Sequence, residues 1–551
     1  MVVTGRSFWR WSAVGVAATL FLALSLFQLR RTCAADDTST STTKKTSTTK
    51  KTSKTKKTSK TERASTTKRA SNTQKAATVK KTSTAPPPNK TTPRTRPKPK
   101  PLKPVPLTPL EPVPIEIGEG NTLGAFFQAL ANLESPTVDT PETPVVRIIH
   151  FGDSHVASDY WAGEIRGKLQ TRFGDGGPGF VLPGRPWPTI RYAEAQSLDG
   201  QYWRTDGLRP GEVDGVVGLG GMSLESFREA NPASALAPFS QFEILAATSP
   251  TSDCLQVQVD DVDFHDLTSH SEPVIPPPPA PSSLVPEPSS KSLGGGAADP
   301  PDPPAPLTPV QRSKTRRKTT PPVPPWKPWP ADSPLDLLEL TNSAPLAAGP
   351  HRISIRSVCG SNARLLGMEL SSGSKGILYD TDGVNGARLA DLEKPLPALR
   401  RALLQQSHAA LIIVSYGTND IGTKGFTSSD YEESAFQILS KLKGDAGDAS
   451  ILVTGPTDRG NPRRSRRAFI QAAQAALQPA LRRAALRAGC AYWDQQAAMG
   501  GPGAMTRWVR AGLASYDYVH FSGLGYKKLA DMLYDQLMAE YSNFLKAKSS
   551  E

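Results

Sequence analysis

Residues 145–155 read Val-Val-Arg-Ile-Ile-His-Phe-Gly-Asp-Ser-His. The run 145–151 is apolar and of strand length, and Gly152-Asp153-Ser154 is a sharp turn signal after it. Trp161, Ile165 and Leu169 then recur at helical spacing, so the stretch predicts a buried strand, a turn and a helix. The alternation returns downstream. Residues 410–416 predict a second buried strand, with a helix through Tyr431, Phe436 and Leu439 after it; residues 451–454 predict a third, with a helix over about 464–487. An amphipathic helix over 524–544 closes the pattern. Strands alternating with helices of this length predict an α/β fold, a parallel sheet covered on both faces. Such sheets bind ligands outside the carboxyl ends of their strands, which directs attention to polar residues there.

Ser154 stands at the first of these strand ends, where free backbone N–H groups and the positive end of a helix dipole favour a developing oxyanion. Gly-Asp-Ser alone is weak evidence, because Asp and Ser are ordinary turn and cap residues. Residues 382–387, Asp-Gly-Val-Asn-Gly-Ala, follow a strand-like run at 377–379. A glycine there lets the backbone approach a substrate and present its own N–H; the plain alternative is a simple turn. Residues 416–420, Tyr-Gly-Thr-Asn-Asp, place Asn419 so that its amide can donate to the same oxyanion, or else cap a helix. Residues 517–522 read Asp-Tyr-Val-His-Phe-Ser just before the last helix. The three-residue spacing lets Asp517 fix the tautomer of His520 and offset its imidazolium charge, which is what a weak serine nucleophile needs. The plain alternative is a solvated loop histidine beside a capping aspartate.

These four stretches, in this order, resemble the SGNH (GDSL-like) hydrolase family, whose blocks are a Gly-Asp-Ser turn, a Gly, a Gly-x-Asn-Asp and an Asp-x-x-His. The resemblance implies a three-layer flavodoxin-like sandwich. It also implies Ser154 as nucleophile, His520 as general base, Asp517 orienting it, and an oxyanion hole from the Ser154 N–H, the Gly386 N–H and the Asn419 amide. Gly383 is the other candidate for the backbone donor; Gly386 fits the family spacing better. Gly152-Asp153-Ser154-His155, the text at 383–387 and the gap of roughly 180 residues between the first two blocks are similar to exported peptidoglycan O-acetylesterases. In that branch a β-rich module is inserted between the two blocks. The Pro-rich interruption at 272–334 departs from that pattern.

The expected organisation follows. Residues 1–35 form a signal peptide or N-terminal membrane anchor, from Arg6 and Arg10, an apolar run over 11–29 and Arg30-Arg31 after it. Residues 36–117 are a disordered tether, Lys/Thr/Ser-rich and then Pro-rich. Residues 118–190 and 374–548 are the two parts of the hydrolase domain. Residues 191–373 are an inserted β-rich, sandwich-like domain with a disordered loop at 272–334. Strand-like alternation on both sides of that loop, at Leu255, Val257 and Val259 and again at Ile353 and Ile355, argues that it interrupts one domain.

The net charge of +14 is misleading until it is located. Residues 38–104 carry 20 Lys and Arg against one acid, Glu62, and residues 1–37 carry four Arg against two Asp, so residues 105–551 are left at −7. That distribution gives no support for a nucleic-acid-binding globular region, and no nucleic-acid partner is expected. Four cysteines in an exported chain permit a disulfide, and Cys254 and Cys359, in one β-rich segment, are the expected pair. Cys490 reads as a buried free thiol. No metal and no cofactor are expected.

The function expected is an exported serine esterase, in the periplasm or cell envelope, that removes O-acetyl groups from an envelope carbohydrate. The expected partners are an acetylated envelope glycan as substrate, the inner membrane through the N-terminal segment, and anionic wall polymer for the basic tether. Two alternatives stand beside it. The same residues suit an O-acetyltransferase, and the tether and β-insert suit a non-catalytic wall-binding scaffold.

Overall fold

A computed structural model describes residues 105–550 apart from 119, 137–143, 185–189, 201–202, 208–213, 227–231, 249–254, 261, 267–327, 330–334, 342–344, 359–362 and 422–425. The expected N-terminal segment, nearly all of the tether, Cys254, Cys359 and most of the 272–334 loop lie outside the described residues. Among the described residues no helix is long and apolar enough to cross a membrane. Cys490 is free and fully buried.

Five strands form a parallel sheet: β1 (Val145–Gly152), β2 (Gly376–Gly383), β3 (Leu411–Ser415), β4 (Ser450–Thr454) and β5 (Ala491–Trp493). Their spatial order is β2-β1-β3-β4-β5, the order of flavodoxin-like doubly wound sheets. The strands alternate between two cores. Ile149, Phe151, Ile412, Val414, Ile451 and Val453 enter one, while Val146, Ile148, Leu411, Ile413 and Leu452 enter the other. On the first side lie α4 (Ser428–Asp445) and α5 (Arg464–Arg487), through Leu439 and Leu477. On the second lie α1 (Gly124–Glu134), α3 (Trp161–Phe173) and α6 (Gly523–Ser550), through Phe126, Ile165 and Leu533. Apolar side chains on both faces of each strand leave no wet side, which is why these runs lack polar alternation.

Between β1 and β2 the chain builds two antiparallel sheets. One orders Asp336–Thr341, Gln241–Thr248, Ala363–Ser371, Ser223–Ser226 and Trp203–Asp206, with Gly179–Val181 also pairing with Ala363–Ser371. The other orders Gln196–Asp199, Ala233–Pro238, Pro350–Ser357, Leu255–Val259 and His265–Asp266. The two stretches whose alternation was read on either side of the Pro-rich run are neighbours, with Val257 opposite Ile355 and Val259 opposite Ile353. The β-rich insertion is therefore present. The end of the segment read as tether is ordered against the edge of the parallel sheet: Glu116 and Tyr492 exchange backbone hydrogen bonds at 2.8 and 2.9 Å, and Ile115 is buried. An apolar residue and a free edge at β5 suffice to dock that stretch where composition alone reads as linker.

Candidate active site

The site begins where β1 stops. In register, Gly152 lies opposite Gly383 of β2 on one side and Ser415 of β3 on the other. The chain then folds back tightly: a Cβ on Gly152 would lie 2.2 Å from Val156 Cγ2, and one on Gly383 would lie 2.1 Å from the Ala157 nitrogen. Both glycines are needed for this closeness. Asp153 is buried, and its carboxylate accepts the His155 N–H at 2.9 Å, capping the turn. Ser154 opens α2 (Ser154–Ala157), a single turn. The sequence reading expected a helix dipole here; one turn sums few peptide dipoles, so local N–H groups are what the backbone offers an anion.

Ser154 Oγ lies 2.8 Å from His520 Nε2. His520 Nδ1 lies 2.8 Å from Asp517 Oδ2. With a carboxylate at Nδ1 the ring proton is held there, and Nε2 turns a lone pair to the serine hydroxyl. The other oxygen, Asp517 Oδ1, accepts the N–H groups of Val519 at 2.8 Å and His520 at 3.0 Å, while Tyr518 between them takes φ +63°. Partial burial pushes the Asp517 carboxyl up, but the His520 ring and those two N–H groups outweigh it and hold it below the usual carboxylate range. The His520 and Asp517 side chains remain 38% and 39% exposed, so the pair stands at an open surface.

The strand order β2-β1-β3 brings the turns after all three strands to one edge. Asn419, after β3, donates through Nδ2 to the Ala387 carbonyl at 3.0 Å, which ties it to the loop after β2. The two candidate glycines, one ending β2 and one in that loop, differ. Gly383 is buried against α2, whereas Gly386 is exposed, has φ +82° and has nothing within 4 Å of a notional Cβ. Gly383 is a packing glycine, and Gly386 has the open backbone.

Comparison with known proteins now adds to the geometry. The GDSL-like Lipase/Acylhydrolase family profile matches residues 355–528. Over these residues the chain is similar to that family, which supports a carboxylic ester hydrolase. The matched stretch includes Gly386, Asn419, Asp517 and His520 but not Ser154, because the β-insertion separates β1 from the rest of the domain. A solved structure titled "Peptidoglycan O-acetylesterase in action, 5 min" is similar in fold, with 22% identity and TM-score 0.54 over 77% of this chain and 99% of that one. A lipase/acylhydrolase from Enterococcus faecalis (15% identity, TM-score 0.23, 30% of this chain and 78% of that one) and the acetyl xylan esterase AlAXEase (15%, 0.23, 30% and 82%) are also similar. No curated protein matches the chain.

The structure also places around the serine groups to which the sequence reading gave no role. His155 is buried, with Nδ1 3.1 Å from the Tyr526 hydroxyl and its ring centroid 5.4 Å from that of His520. Burial, and then the neighbouring His520, push its pKa down to about 3, so it stays neutral. Burial pushes the Asp153 carboxyl up to about 6, against the pull of the His155 N–H, His520, Thr418 and Arg459. Arg459, after β4, donates to the Thr418 carbonyl at 2.6 Å. Nothing in the local sequence marks Arg459; its signal is only its place at the carboxyl edge of a strand. Among the described residues no group of three or more His, Cys, Asp and Glu could hold a metal.

Proposed function

We propose that this hydrolase is an exported serine esterase that removes O-acetyl groups from a cell-envelope carbohydrate, peptidoglycan being the substrate favoured, through an acyl-enzyme. The observation that carries the reading is the relay Ser154 Oγ to His520 Nε2 at 2.8 Å and His520 Nδ1 to Asp517 at 2.8 Å. His520 Nε2 takes the hydroxyl proton as Ser154 Oγ attacks the ester carbonyl. The Ser154 and Gly386 N–H groups and the Asn419 amide hold the oxyanion. The imidazolium returns its proton to the sugar oxygen as the acyl C–O bond breaks. A water, deprotonated by His520, then attacks the acetyl-enzyme, and acetate leaves as Ser154 regains its proton. Asp517 offsets the imidazolium charge, and the neutral His155 ring beside it adds no second positive charge.

Openness supports an ester displayed on a polymer. A dyad two-fifths exposed can be reached by a chain lying across the surface. The experiment is acetate release from O-acetylated peptidoglycan, from acetylated xylan and from a short-chain lipid ester. The reading expects acetate from peptidoglycan at the highest kcat/KM and none with Ser154→Ala. Preference for xylan or lipid would sink the substrate assignment, and undiminished release by Ser154→Ala would sink the mechanism.

A further inference from the structure

Beside the serine turn stands a cation that the hydrolytic reading does not use. Arg191 is exposed, yet it is held on three sides. Its Nη1 donates to the carbonyls of Ser158 and Asp159, both at 3.3 Å, and its guanidinium lies over the Tyr160 ring, 4.1 Å from the centroid. Tyr160 in turn stacks on Tyr526 at 6.0 Å and an interplanar angle of 10°. The Tyr526 hydroxyl is the group 3.1 Å from His155, whose ring adjoins His520. A continuous chain of contacts therefore leads from Arg191 to the general base, and Arg191 shares a small cavity with Ala157 and Gly383, the pair that pack the serine turn against β2.

A surface arginine normally spends its charge on a neighbouring carboxylate or waves in solvent. Arg191 does neither: among the described residues no carboxylate pairs with it, and two carbonyls and a ring fix its plane. An arginine immobilised before binding loses less entropy when it binds, and its planar fork suits the two oxygens of a carboxylate. Tyr160 is itself 45% exposed, and its ring supports the guanidinium.

We infer that Arg191, seated on Tyr160, is a subsite for a carboxylate borne by the acetylated glycan, so that the enzyme selects esters on anionic saccharides over the same esters on neutral ones. The inference rests on the esterase reading and deepens it. Its chemistry is recognition only; no bond of the substrate changes at Arg191.

The test uses the full chain and two O-acetylated disaccharides that differ at one group: an ether-linked side arm ending in a free carboxylate, or the same arm as its primary amide. The expected result is that the acid is deacetylated with kcat/KM about fivefold to tenfold above the amide, the range of one charge-assisted contact at a partly solvated site. That ratio should shrink as salt is raised. With Arg191→Gln it should fall to near one, and with Arg191→Lys to an intermediate value, because a point charge lacks the fork. A ratio near one in the wild type, or an unchanged ratio in a folded Arg191→Gln protein, overturns the subsite while leaving the esterase reading intact. Failure to release acetate from either sugar overturns the esterase reading and the subsite with it.

Discussion

The two loops that meet at the hydrogen bond between Ser154 and His520 are held by opposite means. The serine turn is part of the core: Gly152 and Gly383 lie within contact of α2, Asp153 is 1% exposed, and His155, Val156 and Ala157 are buried. The Asp517–His520 loop is at the surface and is tied by its own polar groups, through Asp517 Oδ1 to two N–H groups and the Ser515 N–H to the His520 carbonyl at 2.7 Å. Ser154 is thus positioned by packing and His520 by local hydrogen bonding. Substitutions on the first side should act on stability as well as activity, and those on the second mainly on activity.

The largest effect that sharpens this contrast is expected from His520→Ala. Turnover of 4-nitrophenyl acetate should fall by about 10³-fold or more, whereas the thermal midpoint should move by little, about 0.5 kcal/mol of stability, because an exposed loop side chain is lost. Kinetics and a melting curve on the same preparation check both halves; a large loss of stability would break the contrast. Next come Gly383 at the end of β2 and Gly386 in the loop after it. Gly383→Ala would drive a methyl into the Ala157 backbone and should cost several kcal/mol, seen as a drop in the denaturant midpoint. Gly386→Ala meets no atom and should cost about 1 kcal/mol for its φ of +82°, with its main effect on kcat. Equal destabilisation by the two would contradict their assigned roles.

A further effect is a pH signature of the buried Asp153. Its folded pKa of about 6 lies above its ordinary value of 3.8, so the fold prefers the protonated form. The stability this lends is full below about 4, is lost as pH rises through about 6, and amounts to roughly 3 kcal/mol by linkage. His150 and His155, both pushed down to about 3 by burial, act in the other direction: their stabilisation is full above the ordinary imidazole value of 6.5 and is lost as pH falls. The expected outcome is therefore a difference. Asp153→Asn, compared with wild type by denaturant unfolding at pH 4 and pH 7, should gain relative stability at the higher pH; no change in that difference would show that the carboxyl is solvated.

The parallel sheet was legible in the sequence because strands buried on both faces leave continuous apolar runs, as at 145–151, 410–416 and 451–454. β5 was not, since Ala491-Tyr492-Trp493 is too short to be told from any apolar patch. Ser154, Asp517 and His520 were legible because each sits in a compact block whose spacing has a chemical reason. The choice between Gly383 and Gly386 was not, for it depends on which glycine α2 presses against. Arg459, Tyr526 and the stacked pair Tyr160 and Arg191 carry no local signal and acquire meaning only through neighbours distant in the chain. Likewise the buried ion pair of Arg166 with Asp159, at 2.9 Å beside the serine turn, is a product of tertiary packing.

The central claim is that Ser154 is the nucleophile activated by His520. The full chain should be incubated with a serine-directed fluorophosphonate and its peptides mapped by mass. The account predicts one covalent label, on Ser154, lost in His520→Ala. A label on a different serine, or none on a protein that hydrolyses acetyl esters, would contradict it.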